Sequence, residues 1–393
     1  MKTQKLVSLF LAVQFVTASA FSAEVLKFKQ GCSSGDDIRV VGVGDLLMHD
    51  RLQIQASQSK LGFKSLWPSL IPIFNEADIA YANLEGTVAE GIVRGGKESA
   101  DPGFVFDKAV YSGYPAFNYH GNLVADIKDS GFDVVSTANN HSFDRESIGV
   151  DKTIQALQDV GLPYTGTKTA AFGSDEKWYT VTETKNRRIA WLACTYETNG
   201  RRDKLKQVLL CFDQKALVLK TISDLAKDPS IDAVIVTPHW GAEYQLQHNS
   251  QQSKLGREML EAGAVAVIGT HPHVVQPWEK YTTKSGREGF IAYSTGNFVA
   301  GQAAIEKRTS LMVSLSLTAH PGEKLEIRGV EFVPLLIDRS RGIQSKDMRQ
   351  AYLNTPEKIA PEAVKIWSDN YAKENIMKPT RNESLESMCN LSK

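Results

Sequence analysis

Six short stretches of this sequence end an apolar, β-rich run in side chains that can bind cations or move protons. "IRVVGVGD" ends at Asp45, "ADIAYANLE" in Asn83 and Glu85, and "FDVVSTANNHSFD" in Asn139, Asn140, His141 and Asp144. "IDAVIVTPHWGAEY" carries His239, Trp240 and Glu243, "VAVIGTHPHVVQPWE" carries His271 and His273, and "GFIAYSTGNF" reaches Asn297. Any one cluster alone reads as turn or helix-cap chemistry. Four of the eight histidines fall at these points beside Asp45, Glu85 and Asn140, a concentration that turns do not require. Imidazoles, carboxylates and an amide oxygen, with no cysteine among them, suit a borderline divalent ion such as Zn, Mn, Fe or Co. The alternation along "THPH" predicts an extended segment with both rings on one side, and Pro272 keeps His271 out of helical geometry. Two such rings in one cavity could serve two metals about 3.5–4 Å apart.

The elements that must position these residues alternate. Between the strand-like runs lie helical patterns, "FKSLWPSLIPIFNEA", "YHGNLVADIKDSG", "GVDKTIQALQDVG", "DQKALVLKTISDLAKD" and "SKLGREMLEAG", several closed by glycine. Strand and helix in alternation predict an α/β layer protein with largely parallel central strands, whose ligand site lies outside the carboxyl ends of the strands. "TSLMVSLSLTA" and "KLEIRGVEFVPLLI" read as an antiparallel hairpin that completes a second sheet.

The chain of 393 residues, 42% hydrophobic and 23% charged, can bury a large core. Lys plus Arg and Asp plus Glu balance at 45 each, so no general field draws in nucleic acid, and none is expected as a partner. A basic start, the apolar "LVSLFLAVQFV" and the small-residue "TASA" read as a signal peptide over 1–23, which places the mature protein in the periplasm or outside the cell. Association with a membrane surface stays open. One main domain is expected over 36–340, followed by a helical extension and tail over 341–393. In an oxidising compartment Cys194 and Cys211 are close enough in sequence to bridge, with Cys32 and Cys389 left to join the ends; buried thiols are the alternative.

The motifs "GVGDLL", "YANLEG", "STANNHSFD", "PHWGAEY", "GTHPHV" and "STGNF", in that order over about residues 38 to 300, resemble the CapA family associated with poly-γ-glutamate capsule synthesis. Its domain is related to the calcineurin-like metallophosphoesterases. The resemblance implies a metallophosphoesterase-like four-layer α/β sandwich, two mixed sheets flanked by helices, and a divalent metal cofactor, two ions of Mn, Zn or Fe. It implies Asp45 and His273 on the first ion, Asn140, His239 and His271 on the second, Glu85 as the bridging carboxylate, and His141 as the catalytic group facing the scissile bond. Two departures stand out. The Asp-x-His usual at the first strand of the wider phosphoesterase superfamily is absent, since Leu46 and Leu47 follow Asp45 and His49 comes later, and a Glu replaces that superfamily's bridging Asp.

Substrate contact is expected from Asn83, Trp240, Glu243 and Asn297 near the clusters, with Glu243 alternatively orienting a ligating histidine. The long segment after Glu85, with Arg94, Lys97 and Lys108, could fold over the site and meet a polyanion; Arg201 and Arg202 are a second basic candidate. Two functions follow as expectations. One is a secreted metal-dependent hydrolase of an anionic envelope polymer such as poly-γ-glutamate, cutting a phosphoester or a γ-glutamyl amide. The other is a non-catalytic polyanion-binding accessory that works with membrane-bound capsule synthesis proteins.

Overall fold

The computed structural model describes residues 26–28 and 36–348, apart from 172, 174, 175, 320, 321 and 341. The segment read as a signal peptide, Cys32 and Cys389, and nearly all of the C-terminal extension lie outside the described residues.

Among the described residues, seventeen strands form two mixed sheets and one small hairpin. The first sheet holds β1 (Leu26–Lys27), β2 (Asp36–Leu47), β3 (Ile79–Leu84), β6 (Val134–Ser136), β7 (Tyr164–Thr165), β14 (Asn297–Ala300), β15 (Thr309–Ala319), β16 (Glu326–Asp338) and β17 (Gln344–Asp347). The second holds β8 (Tyr179–Thr184), β9 (Arg187–Thr195), β10 (Ala233–His239), β11 (Ala266–Ile268), β12 (Trp278–Thr282) and β13 (Glu288–Ala292). The hairpin is β4 (Ile92–Val93) with β5 (Lys97–Glu98). Strands β2, β3, β6 and β7 run parallel in the first sheet, and β9, β10, β11 and β13 in the second. The hairpin of β15 and β16 is antiparallel as the alternation predicts, but β15 pairs with β2 and so extends the first sheet, not the second.

Side-chain alternation stacks the layers. Ile38, Val40, Ile79, Tyr81, Val313 and Leu315 of the first sheet pack against Ile189, Trp191, Ile235, Ile268 and Phe290 of the second. Their neighbours point the other way. Val41, Val43, Ala80, Ala82 and Val135 meet helices α1 (Asp50–Gln58), α2 (Ile71–Asn75), α3 (Asn122–Asp129) and α4 (Glu146–Asp159). Ala190, Leu192, Val234 and Val236 meet α5 (Lys215–Lys227) and α6 (Ser250–Ala262). The result is the expected four-layer α/β sandwich. Helix α1 carries no apolar pattern strong enough to be read from sequence. The window "FKSLWPSLIPIFNEA" divides around Trp67 and Pro68 into a 3-10 turn and the short α2. Cys194 and Cys211 form a disulfide across the end of β9.

Candidate metal centre

The parallel strands of both sheets deliver their C-terminal ends to one edge, and the polar clusters meet there. Asp45 lies near the end of β2, where the chain makes a close approach: a Cβ on Gly44 would stand 1.7 Å from the carbonyl oxygen of Gly296. Glu85 follows β3 directly. Its successor Gly86 takes φ 127°, and a Cβ there would stand 2.6 Å from the Tyr119 hydroxyl, so the glycine of "NLEG" is what lets Tyr119 reach the Glu85 carbonyl as a donor. His239 is the last residue of β10. His271 and His273 reach the site differently from the extended segment expected of "THPH". β11 ends at Ile268, and both histidines adopt left-handed backbone, φ 100° and 58°. Two non-glycine residues held there cost of order 1–3 kcal/mol each, strain of the kind that persists where the surroundings fix it.

The buried donors interlock. Asp45 accepts from Asn83 Nδ2 at 2.8 Å and faces His273 Nδ1 at 3.0 Å. His273 Nδ1 is also 3.0 Å from Asn297 Oδ1; both neighbours are acceptors, so Nδ1 is the donor nitrogen and Nε2 is the one turned toward Glu85. That Nε2 lies 3.8 Å from Glu85 Oε1, and His239 Nε2 lies 3.7 Å from the same oxygen. These gaps are too long for hydrogen bonds. Glu85 therefore stands between two imidazoles, and neither of its buried carboxylate oxygens has a hydrogen-bond partner. Ligand atoms of Asp45, Glu85 and His273 lie within 4.8 Å of one another. Beside them, His239 Nε2 is 2.9 Å from Asn140 Oδ1 and 3.2 Å from His271 Nδ1. Asn140 is turned inward by donating its amide to Asn199 Oδ1 at 3.1 Å.

Electrostatics match a cation site. Burial, followed by the Asp45 carboxylate, pushes the Glu85 pKa well above the ordinary carboxylate value. Burial and the neighbouring imidazoles hold His239 and His271 well below theirs, which keeps both neutral with lone pairs available to a metal. His49 does not join the donors. Its ring packs edge-on against Phe117 at 5.2 Å, and burial lowers its pKa to about 4.

His141 stands at the margin, 6% exposed, its Nδ1 2.7 Å from Asp144 Oδ2 and its ring edge-on to Phe117 at 4.7 Å. The carboxylate fixes the Nδ1–H tautomer and presents Nε2 outward. Asp144, three residues on in the same turn, is a positioning residue visible in the motif but not assigned from it. Tyr196, 4.5 Å from His271 ring to ring, and Asn199, which holds Asn140, have no sequence signal beyond their place after β9.

Three residues expected to contact substrate lie fully buried. Trp240 is fully buried under the outer face of the second sheet and donates its indole N–H to the Tyr293 carbonyl at 2.9 Å. Asn83 spends its amide on Asp45, and Asn297 spends its own on His273, Gln302 and Lys307 carbonyl or amide oxygens. Both asparagines are bonded to the candidate donors Asp45 and His273. Glu243 is exposed and close enough to act on Glu85. The long segment after Glu85 is pinned by two buried side chains. Asn118 bonds Ala89 and Val110, and Arg145 donates to Ile92, Val110 and Ser112. Arg94, Lys97 and Lys108 are exposed on its surface. Arg201 pairs with Glu146 at 2.8 Å and Arg202 is exposed.

A family model described as bacterial capsule synthesis protein PGA_cap matches residues 39–302. The chain is 34% identical over 196 residues to a capsule biosynthesis protein CapA of Bacillus anthracis, covering 49% of this chain and 46% of that one. It is 29% identical over 342 residues to a PGA biosynthesis protein CapA of Bacillus subtilis, covering 84% and 81%. Thus it spans about half of the first relative and most of the second. Among solved structures, a putative 5'-nucleotidase of Staphylococcus aureus aligns with TM-score 0.45 and 15% identity over 81% of this chain and 58% of that one. The NAD nucleotidase of Haemophilus influenzae aligns with TM-score 0.44 and 12% identity over 87% and 60%. Among the described residues no helix is long and apolar enough to cross a membrane.

Proposed function

The chain belongs to the bacterial capsule synthesis protein PGA_cap family, and from that premise we propose that it is a metal-dependent hydrolase of an acidic capsule or cell-envelope polymer, with poly-γ-glutamate the first candidate. The reading includes export, on the signal-like pattern of residues 1–23, and work alongside membrane-bound capsule synthesis proteins.

One observation carries it. Glu85 is buried beside a second carboxylate with both oxygens unpartnered, an arrangement that is costly for an ionised group unless a cation compensates it. Asp45, Glu85 and His273 would hold one divalent ion, and Asn140, His239 and His271, with Glu85 between the groups, would hold a second. The chemistry gained with a divalent ion bound would be Lewis acidity and a water acidified towards neutrality. The protein's own residues do the rest. Asn83 and Asn297 fix the two ends of the Asp45–His273 contact, and burial keeps the second group of imidazoles neutral. His141, held by Asp144, offers Nε2 to the leaving group, as a proton donor or as a positive charge that Asp144 stabilises.

The test is metal analysis of natively purified protein, followed by assay of a generic phosphodiester and of a γ-glutamyl polymer with added Mn or Zn. Metal-dependent cleavage of either that disappears in Glu85→Gln supports the reading. Stoichiometric metal with no cleavage of either favours the accessory role, in which the centre grips polyanion without cutting it.

A further inference from the structure

Beside this acidic centre, one rim cation has no counter-charge. Among the described residues no carboxylate pairs with Lys307; its ammonium instead lies 3.3 Å from the centroid of the Tyr244 ring. An ammonium on an aromatic face keeps N–H donors for an incoming anion.

Both halves of this pair are tied to His273. Tyr244, at φ 65°, donates its backbone N–H to the Pro272 carbonyl at 2.8 Å, and its ring lies 6.0 Å from that of His273. The Lys307 carbonyl accepts from Asn297 Nδ2 at 2.8 Å, and the other end of that amide faces His273 Nδ1 at 3.0 Å. Gln302 closes the circuit, accepting from Asn297 at 2.9 Å and donating to the Tyr244 hydroxyl at 3.4 Å. The cation's place is therefore set by the same bonds that set His273.

The need for such a cation follows from charge. A divalent ion would offset Asp45 and Glu85, but the exposed Glu243 leaves the mouth with a negative charge that opposes an anionic chain, and a fixed positive group at the edge offsets it and sets register. We propose that Lys307, seated on Tyr244, is an anion subsite that takes a carboxylate of an extended acidic polymer while a neighbouring backbone bond lies over the Asp45–Glu85–His273 centre. The inference rests on the hydrolase reading above and adds the contact that holds the polymer.

Titration calorimetry on the full, natively purified chain tests it, with a γ-linked glutamate hexamer and inorganic phosphate as probes. Lys307→Met is expected to weaken the hexamer about tenfold and to flatten the salt dependence of its binding. Lys307→Arg should stay near wild type, and metal content should match wild type in both variants. Equal hexamer binding in wild type and Lys307→Met overturns the subsite, as does wild type that ignores the hexamer. A phosphate affinity that falls in step with the hexamer's overturns the polymer assignment. Metal content, read on the same samples, reports separately on the hydrolase reading: wild type without metal defeats that reading, and metal lost only in Lys307→Met makes Lys307 structural.

Discussion

The two sheets contribute different chemistry to one edge. The first supplies acids and amides, Asp45, Asn83, Glu85 and Asn140, together with His141. The second supplies imidazoles, His239, His271 and His273. Asp45 and His273 come from different sheets and touch at 3.0 Å, and Glu85 of the first lies 3.7 Å from His239 of the second. Neither sheet alone makes a cation site, so the apolar seam between them is part of the functional apparatus. The seam is lined with buried apolar side chains, whereas the edge keeps a carboxylate with both oxygens unpartnered and two left-handed histidines. Stability is stored in the first region and given up in the second.

The largest expected effect comes from neutralising the first sheet's central acid. Glu85→Gln should lose bound metal and sink turnover to background, yet raise the stability of chelator-treated protein. The sign follows from linkage. A folded-state pKa above the unfolded one gives stability that is present at low pH and lost as pH rises above the ordinary carboxylate value, so removing the charge helps at neutral pH. Thermal melts in chelator should rise by roughly 2–4 °C for each kcal/mol relieved; an unchanged or lower melting temperature would separate Glu85 from the stability cost.

Next in size, His141→Ala should keep its metal and lose roughly 10²- to 10⁴-fold in turnover, because the His141 ring is held by Asp144, which is not one of the candidate donors. Unchanged turnover removes it from the chemistry. At the seam, Trp191→Ala deletes a fully buried ring stacked on Tyr81 at 5.3 Å and should cost about 3–5 kcal/mol in urea unfolding, loosening both halves of the site together. A variant with this loss and wild-type metal affinity would break the link between seam and edge.

The smallest effect is a pH slope. His49 is half-buried near the site, with its pKa lowered to about 4 by desolvation. Between pH 6.5 and 4 the unfolded chain takes a proton there and the folded chain does not, so stability present above pH 6.5 is lost as pH falls. Chelated wild type should lose no more than about 3 kcal/mol from this group, and His49→Gln should show a flatter slope over that window.

Much of this was legible in sequence where local pattern and tertiary structure agree. The runs before Asp45, Glu85, His239 and His271 are strands because alternate residues face a sheet on one side and helices on the other, which makes them apolar throughout. What failed was long-range or conformational. Nothing local says that β15 seeks β2 rather than the second sheet, and the period of "THPH" suggests extension where two left-handed residues do the aiming. Trp240 looked like a pocket residue only through its adjacency to His239; on a strand end, neighbours face opposite ways. Lys307 and Asn199 act through partners distant in sequence, which no spacing rule exposes.

The central claim is that the two sheets jointly cage a cation. Elemental analysis of protein purified without added metal or chelator tests it most directly, comparing wild type with Asp45→Asn from the first sheet and His273→Ala from the second. Bound divalent metal in wild type, and its loss in both variants, is the predicted result. Wild type without metal, or full metal retained after either substitution, would contradict the account.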